Sequence, residues 1–372
     1  MKFSIDKKTL QTSLQHLAKG VPNRSTLPIL SSVFFDLNQN SLLLRATDLE
    51  ISLEISLEVD SDDIGKTTIP LKTLLEITSA IPNGNLSFTI SEDNKIAIES
   101  VFGKYSIMGK PADEFPSSPV IENAKLFNFT SEEFIYFVDS TLFAVSRDEL
   151  KPALQGVLFQ VENDELLAVA TDGYRLVKLT KKDIGDSEFK GQVVIPHKFL
   201  NTVRSILGSA EKVSLLIGDN YVKLDTDKQL VVSSRIINER YPDFESIIPK
   251  DNDKTLMVNK EDILSSVKRV SIFSNKTTKQ VSFSISENTI QVSTKDSESI
   301  TTGNETVECE YKNDPITIGY NSQFLKEILE HQGSDNIQIK LKTPVSAAIF
   351  LQENLPENIN IVMLLMPIRL ND

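Results

Sequence analysis

The side chains that most often bind metals are few in this chain and stand far apart. Its three histidines are His16, His197 and His331, and Cys309 is the only cysteine. A structural zinc site needs about four His, Cys or carboxylate ligands, usually with spacings such as His-Glu-x-x-His or Cys-x-x-Cys. Neither spacing occurs in the chain. The sequence therefore predicts no metal site.

One segment resembles half of a phosphate-binding loop. Gly65-Lys66-Thr67 matches the end of the Walker A motif, but Asp60 stands where that motif requires its first glycine. A carboxylate at this position would repel phosphate, so we interpret the segment as a turn that leads into a strand. The Gly-x-Ser-x-Gly and Gly-x-Gly-x-x-Gly motifs do not occur either. We expect no cofactor and no catalytic site.

Two other segments stand out by their residue types. Thr171-Asp172-Gly173-Tyr174-Arg175 combines turn-forming residues with polar groups that could bind a ligand, although a purely structural turn is the more common use of such a cluster. The last residues, 361–370, are unusually apolar for a chain end. Chain ends usually fray in water, so an apolar end is unexpected unless it is buried. We expect this tail to be a docked strand or part of a groove for a partner.

Charge and composition limit the class of protein. The chain has 372 residues and a formal net charge of −13, whereas a protein that grips DNA through a broad basic face is normally basic overall. An acidic chain can still present positive charge on one inner surface. No apolar run approaches the roughly 20 residues of a membrane-spanning helix, the first residues lack a secretory signal, and a lone cysteine suits a reducing compartment. We expect a cytoplasmic protein without membrane contacts.

Self-similarity with a period near 124 residues divides the chain into three repeats. Residues 28–35, Pro-Ile-Leu-Ser-Ser-Val-Phe-Phe, align 124 positions before residues 152–159, Pro-Ala-Leu-Gln-Gly-Val-Leu-Phe. Ala46-Thr47-Asp48 aligns in the same way with Ala170-Thr171-Asp172. A fainter third copy contains Val281 and Phe283. Ordered matches at one period over several segments make chance alignment a poor explanation.

Each repeat shows the pattern of two helices and several strands. Apolar residues recur at helical spacing at Leu10, Leu14 and Leu17, and again in the other repeats. Alternating stretches such as 41–58 are typical of strands, and Thr130 with Glu133 predicts a helix-capping box. Connectors rich in Pro and Asp separate the repeats. The predicted fold class is α+β, with three tandem domains at residues 1–124, 125–250 and 251–372, each with two helices packed on antiparallel sheets.

Several motifs resemble those of the bacterial sliding clamps, the beta subunits of DNA polymerase III. The run 170–176, Ala-Thr-Asp-Gly-Tyr-Arg-Leu, is similar to the family's Thr-Asp-Gly-His-Arg-Leu motif, and the ending 366–370, Met-Pro-Ile-Arg-Leu, is similar to its Met-Pro-Met-Arg-Leu. The opening Met-Lys-Phe, the stretch from Arg24 to Leu30, residues 47–50 and residues 240–243 also match. The resemblance covers the whole chain, with the motifs in the expected order.

The resemblance implies a DNA-clamp fold in which two chains join head to tail in a six-domain ring around duplex DNA. Helices would line the hole and sheets would form the outer wall. The ring would slide on DNA without reading its sequence and would tether the polymerase alpha subunit, repair polymerases, ligase and mismatch-repair proteins through a short motif. The clamp-loader delta subunit would use the same motif. The chain itself would be a processivity factor and not an enzyme.

The resemblance also assigns residues to three sites. The partner-peptide site comprises Leu154, Thr171, Gly173, Tyr174, Arg175, Leu176, Pro242, Ile247, Val345, Leu364, Met366, Pro367, Ile368, Arg369 and Leu370. The DNA-facing residues are Arg24, Lys72, Arg147, Lys151, Lys198 and Arg204, with further helix lysines at positions 7, 8, 268 and 326. The dimer interface comprises Lys104, Tyr105, Ile107, Ile272 and Phe273.

The chain departs from the family pattern at three places. Tyr174 replaces the more common His, and Asn371-Asp372 extends beyond the usual last leucine. The family's acidic edge in the third domain reads here as residues 300–305, Ile-Thr-Thr-Gly-Asn-Glu, which puts ion pairs across the dimer interface in doubt. Ile272 and Phe273 could also be ordinary core residues at a helix end.

Two other classes of protein stay open at this point. A repeat-built scaffold that binds peptides but never meets DNA would be a monomer in solution. An enzyme with a site assembled from residues distant in sequence would bind a metal or a cofactor, or would turn over a nucleotide.

Overall fold

The computed structural model describes residues 1–22, 24–185, 187–208, 212–226 and 229–370. These residues form two compact units. The first unit consists of Met1–Ile135, Ser187–Phe189 and Lys198–Ile236, and the second of Tyr136–Asp186, Lys190–His197 and Ile237–Asp372. The central repeat therefore contributes to both units.

The described residues contain six α-helices, two in each repeat as predicted. They are α1 (Lys7–Leu17), α2 (Leu71–Ala80), α3 (Ser131–Thr141), α4 (His197–Ile206), α5 (Lys260–Val270) and α6 (Ser322–Glu330). The capping box is confirmed, since the Thr130 amide donates to the Glu133 carboxylate and the Glu133 amide donates to Thr130 Oγ1. In the central repeat the sequence predicts a helical stripe at Val138, Leu142 and Val145, but α3 ends at Thr141 and a short 3₁₀ turn follows at Leu142–Ala144.

Strands β1 to β12 belong to the first repeat and to the start of the central repeat. They are β1 (Lys2–Asp6), β2 (Ser32–Asn38), β3 (Ser41–Thr47), β4 (Ile51–Glu58), β5 (Ile64–Pro70), β6 (Asn85–Ile90), β7 (Lys95–Ser100), β8 (Gly103–Met108), β9 (Lys125–Thr130), β10 (Gly156–Glu162), β11 (Glu165–Thr171) and β12 (Arg175–Lys182). The segment Gly65-Lys66-Thr67 lies within β5. Its interpretation as a turn that leads into a strand was wrong, because the strand already begins at Ile64.

The remaining strands complete the central and third repeats. They are β13 (Gly191–Pro196), β14 (Lys212–Ile217), β15 (Tyr221–Thr226), β16 (Leu230–Arg235), β17 (Lys254–Asn259), β18 (Gln280–Ser286), β19 (Thr289–Asp296), β20 (Thr301–Glu308), β21 (Glu310–Tyr311), β22 (Ile316–Asn321), β23 (Asn336–Leu341), β24 (Ala348–Gln352) and β25 (Ile359–Leu365).

The first unit contains two antiparallel sheets. A four-stranded sheet has the order β1-β6-β7-β8, and an eight-stranded sheet has the order β5-β2-β3-β4-β16-β15-β14-β9. The larger sheet is continuous because β4 of the first repeat pairs with β16 of the central repeat, with Ser52 opposite Ser233. Helices α1 and α2 pack against each other, and Leu10, Leu14 and Leu74 are fully buried.

The second unit repeats this plan. A nine-stranded sheet has the order β13-β10-β11-β12-β25-β24-β23-β17-β21, and a four-stranded sheet has the order β20-β19-β18-β22. Here β12 of the central repeat pairs with β25, which places Leu176 opposite Leu364. Helices α5 and α6 pack against each other as α1 and α2 do. The predicted α+β class with repeated domains is thus confirmed, whereas sheets continuous across repeats were not foreseen.

Within the described residues, no helix is both long enough and apolar enough to cross a membrane.

Candidate functional site

The turn between β11 and β12 is closed by its own side chains. Thr171 Oγ1 donates to the Arg175 carbonyl at 2.6 Å and accepts from the Gly173 amide at 3.1 Å. Asp172 Oδ1 accepts from the amides of Tyr174 and Arg175 at 2.9 and 3.0 Å. Gly173 has a φ of 93°, which suits a residue without a Cβ. Thr171 and Asp172 are therefore engaged in building the turn.

The same turn occurs in the first repeat with different surface residues. Thr47 Oγ1 donates to the Ile51 carbonyl at 2.7 Å, and Asp48 Oδ1 accepts from the Ile51 amide at 2.9 Å. Leu49, with a φ of 78°, takes the place of Gly173. The Thr-Asp pair is hence a device of the fold, and any function specific to the second turn must come from its other side chains.

Arg175 is 6% exposed, and its guanidinium is surrounded by partners. Nε donates to Asp172 Oδ2 at 3.1 Å, and one terminal nitrogen donates to the Phe143 carbonyl at 2.6 Å. The other terminal nitrogen pairs with Glu327. The Phe143 and Phe324 rings lie 5.3 and 4.7 Å from Cζ. Arg175 therefore links the turn to helix α6, and each of its three side-chain nitrogens already has a partner.

Tyr174 is the exposed member of the turn. Its ring stacks on Phe324 with the centroids 5.8 Å apart, and Lys151 Nζ lies 5.9 Å from the centroid of the Tyr174 ring. The Tyr174 carbonyl accepts from the Met366 amide at 2.8 Å. The turn and the apolar tail of the chain thus lie side by side.

The apolar tail is docked, as the sequence predicts. Residues up to Leu365 form β25 between β12 and β24, and the Ile368 amide then donates to the Gly319 carbonyl of β22 at 2.8 Å. A Cβ on Gly319 would lie only 2.7 Å from the Ile368 carbonyl oxygen and from Leu370 Cδ2. The absence of a side chain at Gly319 is what lets the tail approach β22. Asn371 and Asp372 lie outside the described residues.

Beside the tail lies a group of apolar side chains that we call the peptide surface. Its buried floor consists of Leu158, Val169, Leu176, Val194, Tyr241, Ala347 and Leu364. Partly buried side chains pack on this floor, namely Leu154, Leu167, Ile237, Phe244 and Ile248. Ile247, Val345 and Met366 are exposed, Val345 by 70%. Such a surface offers apolar walls to an aliphatic or aromatic side chain from a partner.

The structure brings most of the predicted peptide residues into this region and adds others. Leu154, Leu176 and Leu364 belong to the peptide surface, while Pro242 and Arg369 are exposed and Pro367 and Ile368 half-buried. Tyr241, Phe244 and Ala347 were not assigned to the site, although Tyr241 lies in the matching motif at residues 240–243. Burial raises the pKa of Tyr241, and its hydroxyl lies 3.4 Å from the Val169 carbonyl. That motif was the available signal for Tyr241, whereas Phe244 and Ala347 lie outside the matching motifs.

The predicted DNA-facing side chains differ in their exposure. Arg24, Lys72, Arg147, Lys151 and Arg204 are exposed. Lys198 is half-buried and forms ion pairs with Asp48 and Glu50, both at 2.5 Å. Burial lowers the pKa of Lys198, but hydrogen bonds from its ammonium to these carboxylates outweigh burial and raise it. Lys7 is 7% exposed, so the expectation that it faces DNA is not supported. Lys268 pairs with Glu330 at 2.8 Å.

Each unit has a four-stranded sheet with an unpaired edge among the described residues. In the first unit this edge is β8, where Tyr105 and Ile107 are half-buried and Lys104 is exposed. Val101 and Phe102, at the turn before β8, are strongly exposed. An exposed edge strand presents free amide and carbonyl groups that can pair with another chain.

In the second unit the unpaired edge is β20. Beside it lie Ile272 and Phe273, which are 77% and 43% exposed, so their interpretation as ordinary core residues was wrong. The Phe273 carbonyl accepts from Thr301 Oγ1 at 3.1 Å, which ties this apolar pair to the start of β20. Ile300 adds a further exposed apolar side chain.

One of the two carboxylates of β20 is neutralised within the chain. Arg269 donates two hydrogen bonds to Glu305, at 2.8 and 2.6 Å. These hydrogen bonds lower the pKa of the Glu305 carboxyl below its ordinary value. Since Glu305 already has a partner, it is poorly placed to form an ion pair with another molecule, and apolar contacts dominate this edge.

Three family models match consecutive parts of the chain. The DNA polymerase III beta subunit N-terminal domain matches residues 1–119, the central domain residues 128–243, and the C-terminal domain residues 245–369. Together they span almost all of the sequence.

Individual relatives match over full length at modest identity. The beta sliding clamp of Synechococcus elongatus is 29% identical and that of Vibrio cholerae 25%, each with full coverage of both chains. Two solved structures share 26% identity and also cover both chains fully. The Bartonella birtlesii sliding clamp bound to griselimycin gives a TM-score of 0.92, and the C. crescentus beta sliding clamp gives 0.93.

Proposed function

This chain belongs to the DNA polymerase III beta subunit family, the beta sliding clamps, and we propose that two copies close head to tail into a ring around duplex DNA. The observation that carries this proposal is the pair of unlike free edges. Strand β8 in the first unit and β20 in the second each lack a neighbour on one side, within the residues described. A head-to-tail pairing used twice would give both of these strands a neighbour.

Apolar side chains at both edges support the same interface. Tyr105 and Ile107 on β8, with Lys104 at its rim, would meet Ile272 and Phe273 beside β20 of the partner. Because Arg269 neutralises Glu305 inside the chain, burial of these apolar groups would supply most of the association energy. A homodimer is the expected state, and a monomer at micromolar concentration would favour the peptide-binding scaffold.

The peptide surface of the second unit is the proposed tether for other proteins. Its apolar floor and the exposed Val345 and Met366 fit a Leu and a Phe from a short motif of the type Gln-Leu-x-Leu-Phe. The proposed users are the polymerase alpha subunit, the clamp-loader delta subunit and other proteins with this motif. Tyr174 and Lys151 stand at the side of this surface and would contact residues that flank the motif.

The proposed DNA contacts are few and independent of sequence. Arg24, Lys72, Arg147, Lys151, Lys198 and Arg204 would touch phosphates, which hold no base information and bind more weakly as salt rises. We infer that the chain is an accessory subunit of the polymerase without a catalytic site, a metal or a cofactor. It would act in the cytoplasm, with domains at residues 1–124, 125–250 and 251–372.

Release from DNA ends tests the ring mechanism. The clamp is loaded by its loader on a nicked circular plasmid, unbound protein is removed, and retention is measured before and after the circle is cut. A ring should stay on the circle and slide off the free ends. Equal retention on both forms would show ordinary binding and would refute the topological mechanism.

A variant with a weakened interface is the matched control. Ile272→Ala with Phe273→Ala removes apolar area from the β20 edge, so we expect the dimer to dissociate at micromolar concentration and retention on the circle to be lost. Val120→Ala removes a similarly exposed side chain away from both edges and should change neither property. An intact dimer in the double variant, measured by light scattering, would place the interface elsewhere.

A further inference from the structure

The two large sheets are built on the same plan, so their positions can be matched by strand register. In the second unit, Leu158 lies opposite Val169 and Val194. In the first unit, Phe34 lies opposite Arg45 and Thr68 in the corresponding strands. Each residue of the peptide surface that lies on a strand therefore has a counterpart in the first unit.

The counterparts in the first unit are mostly polar. Val169 corresponds to Arg45, and Val194 to Thr68. The central pair Leu176 and Leu364, which face each other across β12 and β25, corresponds to Ser52 and Ser233 across β4 and β16. Four of these five floor positions have thus exchanged an apolar side chain for a polar one, and only Phe34 keeps apolar character in place of Leu158. An aliphatic anchor would lose most of its apolar contacts on such a floor.

The space above this floor is occupied by the chain itself. The ring of Phe115, from the connector after β8, stacks on Phe34 with the centroids 5.4 Å apart. The Arg45 guanidinium lies 4.6 Å from the Phe34 ring and 5.6 Å from the Phe115 ring. Ser118 of the same connector bridges Arg45 and Glu54 through short hydrogen bonds. As a result Leu30 is 2% exposed, whereas its counterpart Leu154 remains partly exposed.

Arg45 lies there although one of its hydrogen-bond donors has no partner. Its Nε is buried and makes no hydrogen bond, and burial lowers its pKa although Glu54 and Asp36 act in the opposite direction. A buried donor without a partner has a free-energy cost. The stacking on Phe34 and Phe115 and the contacts to Ser118 and Glu54 offset that cost and fix the connector in place.

From these observations we propose that Arg45 and Phe115 close the first-unit counterpart of the peptide surface, so that each chain offers one site to partner motifs rather than two. The proposal rests on the peptide site proposed above. Arg45 determines specificity by replacing the valine of the floor, and Phe115 covers Phe34, the apolar position that this floor keeps.

The test rebuilds the second-unit floor in the first unit. The full-length variant Arg45→Val, Ser52→Leu, Ser233→Leu and Phe115→Ala is titrated with a Gln-Leu-Ser-Leu-Phe peptide by isothermal calorimetry. We expect two peptides per chain, against one for the unaltered chain. The matched control Ser52→Leu with Ser233→Leu keeps Arg45 and Phe115 and should still bind one.

Each outcome decides the proposal. A folded fourfold variant that binds one peptide would overturn it. If that variant does not fold, the unaltered first unit is tested in a chain that ends at Leu365, where the tail of the second-unit site is removed. Lost or weakened binding in that chain supports closure of the first unit, and a site of undiminished affinity overturns it. Failure of the full-length unaltered chain to bind any peptide would instead reject the proposed tether site, while a site gained by the fourfold variant would still support the closure.

Discussion

At the scale of single residues, Arg175 shows how one side chain can hold a turn to a distant helix. The family motif places an arginine at this position, and the sequence assigns it to the peptide site. Its guanidinium is, however, enclosed by Asp172, Glu327 and the Phe143 carbonyl, with an aromatic ring on two sides. Sequence motifs identify such residues but do not show what their donors bind. For Arg175 this depends on Glu327 and Phe324, which lie more than a hundred positions away in the sequence.

Replacing Arg175 should therefore lower the free energy of unfolding more than replacing an exposed arginine. Arg175→Met removes the partner of two carboxylates in a largely buried cluster, and we expect a loss of roughly 3 kcal/mol in the free energy of unfolding. Arg369→Met, at an exposed position of the tail, should change it by less than about 0.5 kcal/mol. Urea unfolding at neutral pH measures both. Similar values for the two variants would contradict the role of Arg175 as a link to α6.

Glu305 gives a stability contribution that depends on pH. Hydrogen bonds from Arg269 lower its pKa in the folded chain, so the ionised carboxylate stabilises the fold above the pKa of the unfolded chain. The contribution is lost as the pH falls through the lowered folded pKa. Glu305→Gln should reduce the melting temperature at neutral pH, and the difference from the unaltered chain should shrink below about pH 4.3, the ordinary value for Glu.

The control for Glu305 lies on the same strand. Glu308 is exposed at the end of β20, and Glu308→Gln should leave the melting temperature nearly constant relative to the unaltered chain from pH 7 down to acid. A Glu305→Gln effect of constant size over the same range would mean that the carboxylate charge is not what stabilises β20.

At the scale of elements, the docking of the tail depends on one glycine of β22. The sequence predicts a docked tail from its apolar character, but it gives no hint of the element that receives it. Gly319 provides that place because its missing Cβ leaves room for the Ile368 carbonyl and the Leu370 side chain. Such a contact joins residues about fifty positions apart, and no local pattern announces it.

A methyl group at position 319 should displace the tail and weaken peptide binding. In Gly319→Ala the added Cβ would be 2.7 Å from two tail atoms, so residues 366–370 must shift. We expect the affinity for a Gln-Leu-Ser-Leu-Phe peptide, measured by fluorescence anisotropy, to fall about tenfold, or about 1.4 kcal/mol. Gly208→Ala adds a methyl group in open space and serves as the control. Unchanged affinity in Gly319→Ala would separate the tail from the peptide site.

At the scale of the whole chain, the sequence predicts the repeats and their class but not how the sheets join them. The period of 124 residues and the helical stripes, such as Leu10, Leu14 and Leu17, suffice to predict three α+β domains. The pairing of β4 with β16 and of β12 with β25 depends on edges supplied by different repeats. Hydrophobic alternation predicts that a strand exists and which face is buried, but it does not choose the neighbour at its edge.

The last prediction concerns DNA binding by the whole chain. Because its formal net charge is −13, we expect its affinity for DNA to be weak and to fall as the salt concentration rises. Each phosphate contact makes the log–log plot of affinity against salt steeper, by about 0.9 in the magnitude of its slope. Arg24 is exposed, and no ion pair of Arg24 is found among the residues described, so Arg24→Ala should reduce the slope by about one. Lys198 must first leave Asp48 and Glu50, so Lys198→Ala should reduce it by less.

The double variant Arg24→Ala with Lys198→Ala should weaken loading on a nicked circle between about 50 and 200 mM salt, while light scattering still shows a dimer. Lys66→Ala is the control, because Lys66 lies on β5, pairs with Asp36 at 3.1 Å and should leave the slope unchanged. An equal effect of all three lysine and arginine changes would mean that only net charge matters. An unchanged slope in Arg24→Ala would remove Arg24 from the DNA contacts. Only a selective loss at Arg24, larger than at Lys198 and absent at Lys66, fits an acidic ring that meets DNA through a few specific cations.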